Sequence, residues 1–208
     1  PSEVGYKDVL KTWNPTKLNP AALAKLYQES GARFLMIQGV HHDNYDMWDS
    51  RYQPWNSVNI GPKRDFIGEW AKACRANGMR FGVTFHHEYT WWWWQTAFGS
   101  DTEGDKKGVP YDGHLTLADG EGKWWEGYDP QKLYVQNHAL SKESEDNWKI
   151  HSQWAWGNGA SVPSDEYCQN FLDRNIDVIN KYNPDLIYYD DTSLPLWPIS
   201  DVGLKILS

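Results

Sequence analysis

The sequence is poor in several features that define common protein classes. It has only two cysteines, Cys74 and Cys168, each in a helical pattern, so no zinc-binding spacing exists and we expect two buried free thiols. No run approaches the roughly 20 apolar residues that a membrane helix requires. The first residues show neither a basic region nor an apolar one, so no signal peptide is visible in this sequence.

Positive charge is also scarce. The chain carries 20 Lys and Arg residues against 28 Asp and Glu residues, which gives a net charge of −8 over 208 residues. Nucleic acids and anionic membrane surfaces both select basic protein surfaces. We therefore expect neither nucleic acid nor a membrane among the partners of this protein.

Aromatic residues, by contrast, are abundant. The sequence contains 14 Trp and 12 Tyr. Each of these rings needs a partner for its polar atom when it is buried, and a chain of this length cannot hide all of them in one core. The composition fits either a large aromatic core with some solvent-facing rings or a cleft lined with flat aromatic faces, which suits a sugar.

The chain alternates three times between a helical and a strand pattern. The predicted pairs are a helix from Asn19-Pro20 to Gly31 with a strand over 33–40, a helix over 65–77 with a strand over 79–85, and a helix from Ser164 to Asn183 with a strand over 186–189. The nearly continuous apolar run of the first strand predicts burial on both of its faces. This order predicts an α/β fold with a parallel sheet, either a (β/α)8 barrel or a doubly wound sheet, and the absence of a glycine-rich phosphate loop disfavours nucleotide binding.

The number of strands indicates an incomplete barrel. A complete barrel needs eight strands and about 250 residues, whereas this sequence shows three strands. We therefore predict a single partial (β/α)8, TIM-barrel-like catalytic domain over residues 1–208. Residues 88–163, rich in Gly, Asp and Trp, form a connection so long that a functional role is expected, and we predict that this Trp-rich loop covers an active site.

Polar residues follow all three predicted strands. They are His41-His42-Asp43 after the first strand, His86-His87-Glu88 after the second and Asp190-Asp191 after the third. The carboxyl ends of neighbouring parallel strands meet at one edge of a sheet, where α/β proteins bind their ligands. Two chemistries fit this cluster, namely a metal centre built from His and Asp and a glycoside hydrolysis that uses carboxyl groups.

Short segments in a fixed order separate these two chemistries. They are His41 to Tyr45, Trp48-Asp49-Ser50, Trp55-Asn56-Ser57, Gly61 to Asp65 and Pro184 to Asp190. In order and spacing they resemble glycoside hydrolase family 29, the α-L-fucosidases, over most of the chain from about residue 14 to residue 198. Residues 108–127 also resemble a branch of these enzymes that has a long loop at this place.

The resemblance implies a retaining exo-glycosidase that removes terminal α-L-fucose from a fucosylated oligosaccharide or glycoconjugate, without a cofactor. It places the nucleophile at Asp190. The substrate-binding residues that we expect are His41 and His42 on the sugar hydroxyls, His86 and His87 as a further contact, and Trp48, Trp55 and Tyr188 as aromatic walls. An apolar wall suits the methyl group on carbon 6 of fucose.

The sequence departs from the family pattern at four positions, all close to the ends of the first and third predicted strands. Asn44 stands in place of a Gly, Tyr188 in place of a Trp, and Asp191 in place of the Gly that follows the nucleophile. Asp191 is therefore a second candidate nucleophile, but the register of the segment favours Asp190. A Val also stands at position 40, where the family often has Lys.

The general acid/base is harder to place. In the family it lies beyond the fourth strand, so we expect it after Ser208, and the family's first strand before Pro1. Within this chain, Glu88 and Glu126 are the candidates for an acid. We therefore expect this length of chain by itself to be inactive.

Two other functions remain open. A metal-dependent hydrolase that uses His41, His42, His86 and Asp190 would lose activity with a chelator, whereas a fucosidase would not. A non-catalytic carbohydrate-binding module would bind sugar without turnover. The cellular location stays unknown, although enzymes of this kind are commonly exported to the periplasm or the exterior.

Overall fold

The computed structural model describes residues 3–135, 138–142, 161–190 and 194–208. The α-helices are α1 (Tyr6–Thr12), α2 (Pro20–Glu29), α3 (Phe66–Ala76), α4 (Thr90–Trp93), α5 (Pro130–Tyr134), α6 (Asp165–Tyr182) and α7 (Val202–Leu207), and the strands are β1 (Phe34–Val40), β2 (Arg80–Phe85) and β3 (Leu186–Tyr189). Short 3-10 turns lie at His87–Tyr89, Trp94–Phe98, Asp112–His114 and Leu117–Gly120. Within the described ranges, no helix is both long enough and apolar enough to cross a bilayer.

The three predicted helix-strand units are confirmed, and their boundaries follow from local capping. The side chains of Asn19, Asp65 and Ser164 accept hydrogen bonds from backbone N–H groups in the first turns of α2, α3 and α6. Such caps satisfy donors that a helix start leaves without partners. α6 ends where Asn183 adopts a left-handed conformation with φ of 44°, directly before Pro184, which cannot continue a helix.

The strands form one parallel sheet in the described part of the chain, with β2 between β1 and β3. The register aligns Ile37, Val83 and Ile187 on one face. This face packs on α3 and α6 and forms a core in which Val83 is fully buried. The helices therefore fix the sheet from one side.

Both cysteines are buried free thiols, as predicted.

The opposite face of the sheet is only partly covered. Gln38, Thr84 and Tyr188 align there, and the Thr84 hydroxyl donates a 2.8 Å hydrogen bond to the Gln38 amide oxygen. Tyr188 is 48% exposed and Phe34, at the start of β1, is 61% exposed. The prediction that β1 is buried on both faces is therefore wrong for the described structure.

Two helical predictions need a similar correction. The three- and four-residue spacing of Leu23, Leu26 and Tyr27 predicts that they share the apolar side of α2, but Leu26 and Tyr27 are 54% and 38% exposed. α2 is instead anchored by the fully buried Ala24. The small side chain lets the helix approach α3 closely, which periodicity alone does not reveal.

The described part of residues 88–163 contains several short helical turns and a core of its own. Trp125, Leu133 and Tyr134 pack with Leu10 of α1 and with Trp55. Helices α1, α4, α5 and α7 were not predicted, because each has seven residues or fewer and so shows little periodicity. The role of the segment as a loop over an active site stays a prediction.

Candidate active site at the strand ends

The carboxyl ends of the three strands bring His42, His86 and Asp190 together. His42 follows β1, His86 directly follows β2, and Asp190 directly follows β3. The backbone N–H of His86 donates a 3.0 Å hydrogen bond to the carbonyl of Val40, which continues the pairing of β1 with β2 to the site. Parallel pairing therefore places these three side chains at one edge, as the sequence predicts.

A series of close polar contacts links the three side chains. Nε2 of His42 lies 2.9 Å from Nδ1 of His86, and Nε2 of His86 lies 3.0 Å from Oδ2 of Asp190. A carboxylate oxygen only accepts, so Asp190 suits a proton on His86 Nε2. Which of the two rings donates between His42 and His86 depends on their tautomers.

His41 completes the cluster. Its ring stacks on His86 with centroids 4.7 Å apart, and it lies 4.2 Å from the ring of His42. Burial, then the neighbouring imidazoles, lowers the pKa of His42 to about 3, and burial followed by His86 also lowers the pKa of His41. Both rings are therefore neutral at pH 7, so each carries one donor nitrogen and one acceptor nitrogen, and His41 is the more exposed of the two.

Aromatic side chains flank the cluster. The edge of Trp93 contacts His42 at 4.9 Å between centroids, and Tyr89 contacts the same ring at 5.3 Å. The Tyr188 hydroxyl lies 3.3 Å from Oδ1 of Asp190. Tyr188 is thus beside the site, as predicted, whereas Trp93 was missed although the run of four Trp residues was visible in the sequence.

The segment after β1 is held by a left-handed turn at Asn44, whose φ is 65°. This conformation explains why Asn stands where the family pattern has Gly, since both residues tolerate positive φ. The Asn44 amide donates to the carbonyls of Lys132 and Leu133 at 2.9 and 3.0 Å, and its oxygen accepts a 2.7 Å bond from Arg174.

Arg174 is the second anchor of this segment. It reaches from α6 to Asp46, and the pair is buried, with side chains 1% and 0% exposed. Burial raises the pKa of Asp46 to about 6 against the lowering effect of Arg174. Sequence reasoning missed Arg174, although its position among Phe171 and Val178 on the apolar side of the predicted helix was a usable signal.

Asp43 is held by contacts with α1 and with the segment after β2. Its carboxylate accepts a hydrogen bond from the Tyr6 hydroxyl of α1, and its backbone carbonyl accepts a 3.3 Å bond from the Trp94 indole. Burial raises the pKa of Asp43. The residue therefore joins the site to α1 and to the segment after β2.

Three residues that were predicted to bind substrate are buried in the described structure. Trp48 and Trp55 are fully buried, with their indole N–H groups bonded to Asp177 at 3.0 Å and to the Asp129 carbonyl at 2.8 Å. His87 is 1% exposed and stacks on Phe171 at 4.3 Å. All three are buried in the described structure, and their contact with substrate stays a prediction.

Comparison with known proteins agrees with this geometry. The sequence profile described as Alpha-L-fucosidase matches residues 1–196. This chain belongs to the alpha-L-fucosidase family. The alpha-L-fucosidases are a glycoside hydrolase family, so the resemblance that the short sequence segments indicated is confirmed.

Individual members of the alpha-L-fucosidase family cover different lengths of the chain. A putative alpha-L-fucosidase of Caenorhabditis elegans is 28% identical over 167 residues, which are 79% of this chain and 33% of that protein. The alpha-L-fucosidase of Branchiostoma floridae is 35% identical over 88 residues, 41% of this chain and 19% of that protein.

Solved structures share the fold. The Thermotoga maritima alpha-fucosidase in complex with a mechanism-based inhibitor has a TM-score of 0.58 at 23% identity, and the match covers 97% of this chain and 34% of that chain. The Lactobacillus casei alpha-L-fucosidase in complex with its fucose product has a TM-score of 0.54 at 18% identity, over 97% and 51% of the two chains. The chain spans about a third, or less, of the length of the curated relatives above.

The acid candidates of this fucosidase-family chain lie in different settings. Glu88 is 3% exposed within the turn after β2. Glu126 is exposed, and its carboxylate accepts a 3.2 Å bond from the Gly122 N–H. Asp191, the alternative nucleophile, lies outside the described residues. Among the residues that the structure describes, His41, His42 and His86 are the one group whose ligand atoms converge closely enough to hold a metal ion.

Proposed function

We propose that this chain forms the nucleophile-bearing part of an active site that hydrolyses terminal α-L-fucosides with retention of configuration. The observation that carries the proposal is the linkage of Asp190 to His86 and His42 at the ends of three parallel strands. Membership in the alpha-L-fucosidase family adds the substrate class. The substrate is a fucosylated oligosaccharide or glycoconjugate, and the three-stranded sheet is part of a (β/α)8 barrel.

The proposed nucleophile is Asp190, whose side chain is 66% exposed and held at one oxygen by His86. In the first step the Asp190 carboxylate attacks the anomeric carbon, the bond to the leaving oxygen breaks, and a second carboxyl group protonates that oxygen. Water then displaces Asp190 from the covalent fucosyl-enzyme, and the second carboxyl group takes the proton. Two displacements at one carbon give retention.

The histidines position the sugar. His41 and His42 are neutral, and the exposed ring of His41 presents a donor and an acceptor at the edge where the anomeric carbon must lie. Bonds to the sugar hydroxyls that shorten as positive charge develops would stabilise the transition state more than the ground state. Tyr188 and Trp93 supply the aromatic faces for the apolar side of fucose.

The acid/base residue is proposed to come from outside the described residues. Glu88 is buried, and Glu126 is held in an exposed turn by Gly122. Neither side chain is part of the linked cluster of His42, His86 and Asp190. Activity is therefore to be measured on the protein expressed from its whole reading frame.

The decisive test replaces the nucleophile. Asp190→Ala should lower kcat on a nitrophenyl α-L-fucoside by at least about a thousandfold, because no covalent intermediate can form. Azide should restore turnover by entering the space of the missing carboxylate, and it should give the β-fucosyl azide by a single displacement. Asp105→Ala, which removes an exposed carboxylate elsewhere, is the matched control.

Three outcomes would contradict the proposal. Wild-type turnover in Asp190→Ala would remove the nucleophile assignment. Release of β-L-fucose as the first product, observed by proton NMR, would exclude retention. Loss of activity with a chelator would favour the metal-dependent hydrolase that the convergence of His41, His42 and His86 also permits.

A further inference from the structure

The three histidines at the strand ends have the spacing of metal ligands. One ligand nitrogen from each of His41, His42 and His86 lies within 4.8 Å of the other two, and one pair is 2.9 Å apart. A tetrahedral Zn²⁺ with bonds of about 2.0–2.1 Å to nitrogen needs ligand atoms about 3.3 Å apart. The spacing of the three nitrogens brackets that value.

The environment of His86 also fits a metal ligand. Its Nε2 lies 3.0 Å from Oδ2 of Asp190, and its Nδ1 faces His42 Nε2 at 2.9 Å. Zinc-binding histidines commonly donate their other ring N–H to a carboxylate in this way, because the carboxylate fixes the ring and raises the basicity of the ligand nitrogen. Asp190 would thus support a metal ion through His86 rather than bind it.

We propose that His41, His42 and His86 form a binding site for Zn²⁺. Imidazole nitrogen suits Zn²⁺, Cu²⁺ and Ni²⁺, whereas Mg²⁺ and Ca²⁺ prefer oxygen ligands. His41 is exposed and gives the ion a path from solvent, and the remaining coordination position is left to water.

The ion and the sugar would use the same nitrogen atoms. The second part of the inference rests on the proposed function: Zn²⁺ and fucose exclude one another, so that Zn²⁺ inhibits the hydrolase and has no part in its chemistry. The cluster would then make the enzyme sensitive to the free zinc concentration.

One contact limits the affinity. Nε2 of His42 lies 2.9 Å from His86, and Nδ1 of His42 is buried with no hydrogen-bond partner among the described residues. Binding of Zn²⁺ at Nε2 moves the proton to that buried Nδ1, where it finds no acceptor. We therefore expect a Kd in the micromolar range, weaker than that of a structural zinc site.

The test is a calorimetric titration of this chain with Zn²⁺, after treatment with a chelator and its removal. We expect one Zn²⁺ per chain and no binding of Mg²⁺. His86→Gln should abolish the binding, and His114→Gln, which alters an exposed histidine in another turn, should not change it. Circular dichroism of each variant checks the fold.

A second variant separates a built site from loose binding to surface histidines. Asp190→Asn keeps all three ligand nitrogens but weakens the acceptor behind His86, so Zn²⁺ should bind about 10 to 100 times more weakly at the same stoichiometry. No binding by the wild-type chain, or equal binding by His86→Gln, overturns the metal site.

Fucose distinguishes the two parts of the inference. Added at saturating concentration, it should raise the apparent Kd for Zn²⁺. Zinc binding that is lost in His86→Gln but unaffected by fucose supports the metal site and overturns the exclusion. Failure of the proposed function appears independently, as an absence of fucoside hydrolysis by the protein from the whole reading frame in metal-free buffer.

Discussion

The two histidine pairs of this chain have the same sequence and opposite environments. His41 and His42, after β1, both lie at the edge of the sheet with rings 4.2 Å apart. In the second pair, His86 joins them, whereas His87 is 1% exposed and stacks on Phe171. The identity of the residues therefore does not decide which histidine can meet a ligand.

The backbone that follows each pair makes the difference. After His42 the chain turns through the left-handed Asn44 and is tied to α6 by Arg174, which keeps both rings at the edge. After His86 the chain enters a 3-10 turn at once, and His87 is its first residue. His87 comes two residues after Phe85, on the same side of the chain as the buried residues of β2, and it contacts Phe171 of α6.

The largest effect is expected on stability, when the anchor of the segment that follows His41 and His42 is removed. Arg174→Met should lower the free energy of unfolding by about 3–5 kcal/mol, because it leaves the Asp46 carboxylate buried without its cation. Arg51→Met removes another cation that pairs with an α6 carboxylate, but its side chain is 73% exposed, so stability should hardly change. Urea denaturation measures both, and equal stability of the two variants would contradict the anchoring role of Arg174.

The next largest effect is expected on kcat/KM, where substitutions of His86 and His87 are compared. His86→Asn should reduce kcat/KM for an α-L-fucoside by about a hundredfold, because Asp190 and the sugar lose one preorganised donor. His87→Phe keeps a ring stacked on Phe171 and should change kcat/KM less than threefold. Steady-state kinetics on the protein from the whole reading frame decides this, and similar losses in both variants would show that the two histidines are not functionally different.

The smallest effect is in the pH dependence of stability. Burial holds the pKa of His87 well below 6.5, so the unfolded chain binds a proton below pH 6.5 that the folded chain does not bind. The free energy of unfolding therefore falls with decreasing pH below about 6.5, by at most about 1.4 kcal/mol per pH unit from this residue.

His87→Phe should remove the contribution of His87 to the pH dependence of the free energy of unfolding. The contributions of His41 and His42, whose pKa values are also lowered, should remain. Denaturation of both proteins between pH 7 and pH 5 measures the difference. A slope that is unchanged in His87→Phe would mean that His87 takes up its proton within the folded protein.

Sequence reasoning succeeded where a feature is local. The three helix-strand units follow from caps such as Asn19 and Ser164 and from short apolar runs, and all are present. The placement of His41, His42, His86 and Asp190 at one edge follows from the parallel order of strands. Asn44 was visible as a departure from the family pattern, and its φ of 65° explains it.

Sequence reasoning did not reveal the burial of side chains whose partners are distant in sequence. Trp48 and Trp55 read as sugar-binding rings, but each finds its polar partner in a segment more than 70 residues away, at Asp177 and Asp129, and is sealed in the core. Arg174 looked like an ordinary helix residue until α6 placed it against Asp46, 128 residues away in sequence.

The sequence by itself determined the alternation of helices and strands, the family and the set of side chains available at the strand ends. Capping, period and motif are written in neighbouring residues, so they need no knowledge of the folded chain. Only the tertiary structure decided which of those side chains stay together at the edge of the sheet and which are buried. That choice depends on burial and on hydrogen bonds between segments distant in sequence, as with His86, which meets Asp190, and His87, which meets Phe171.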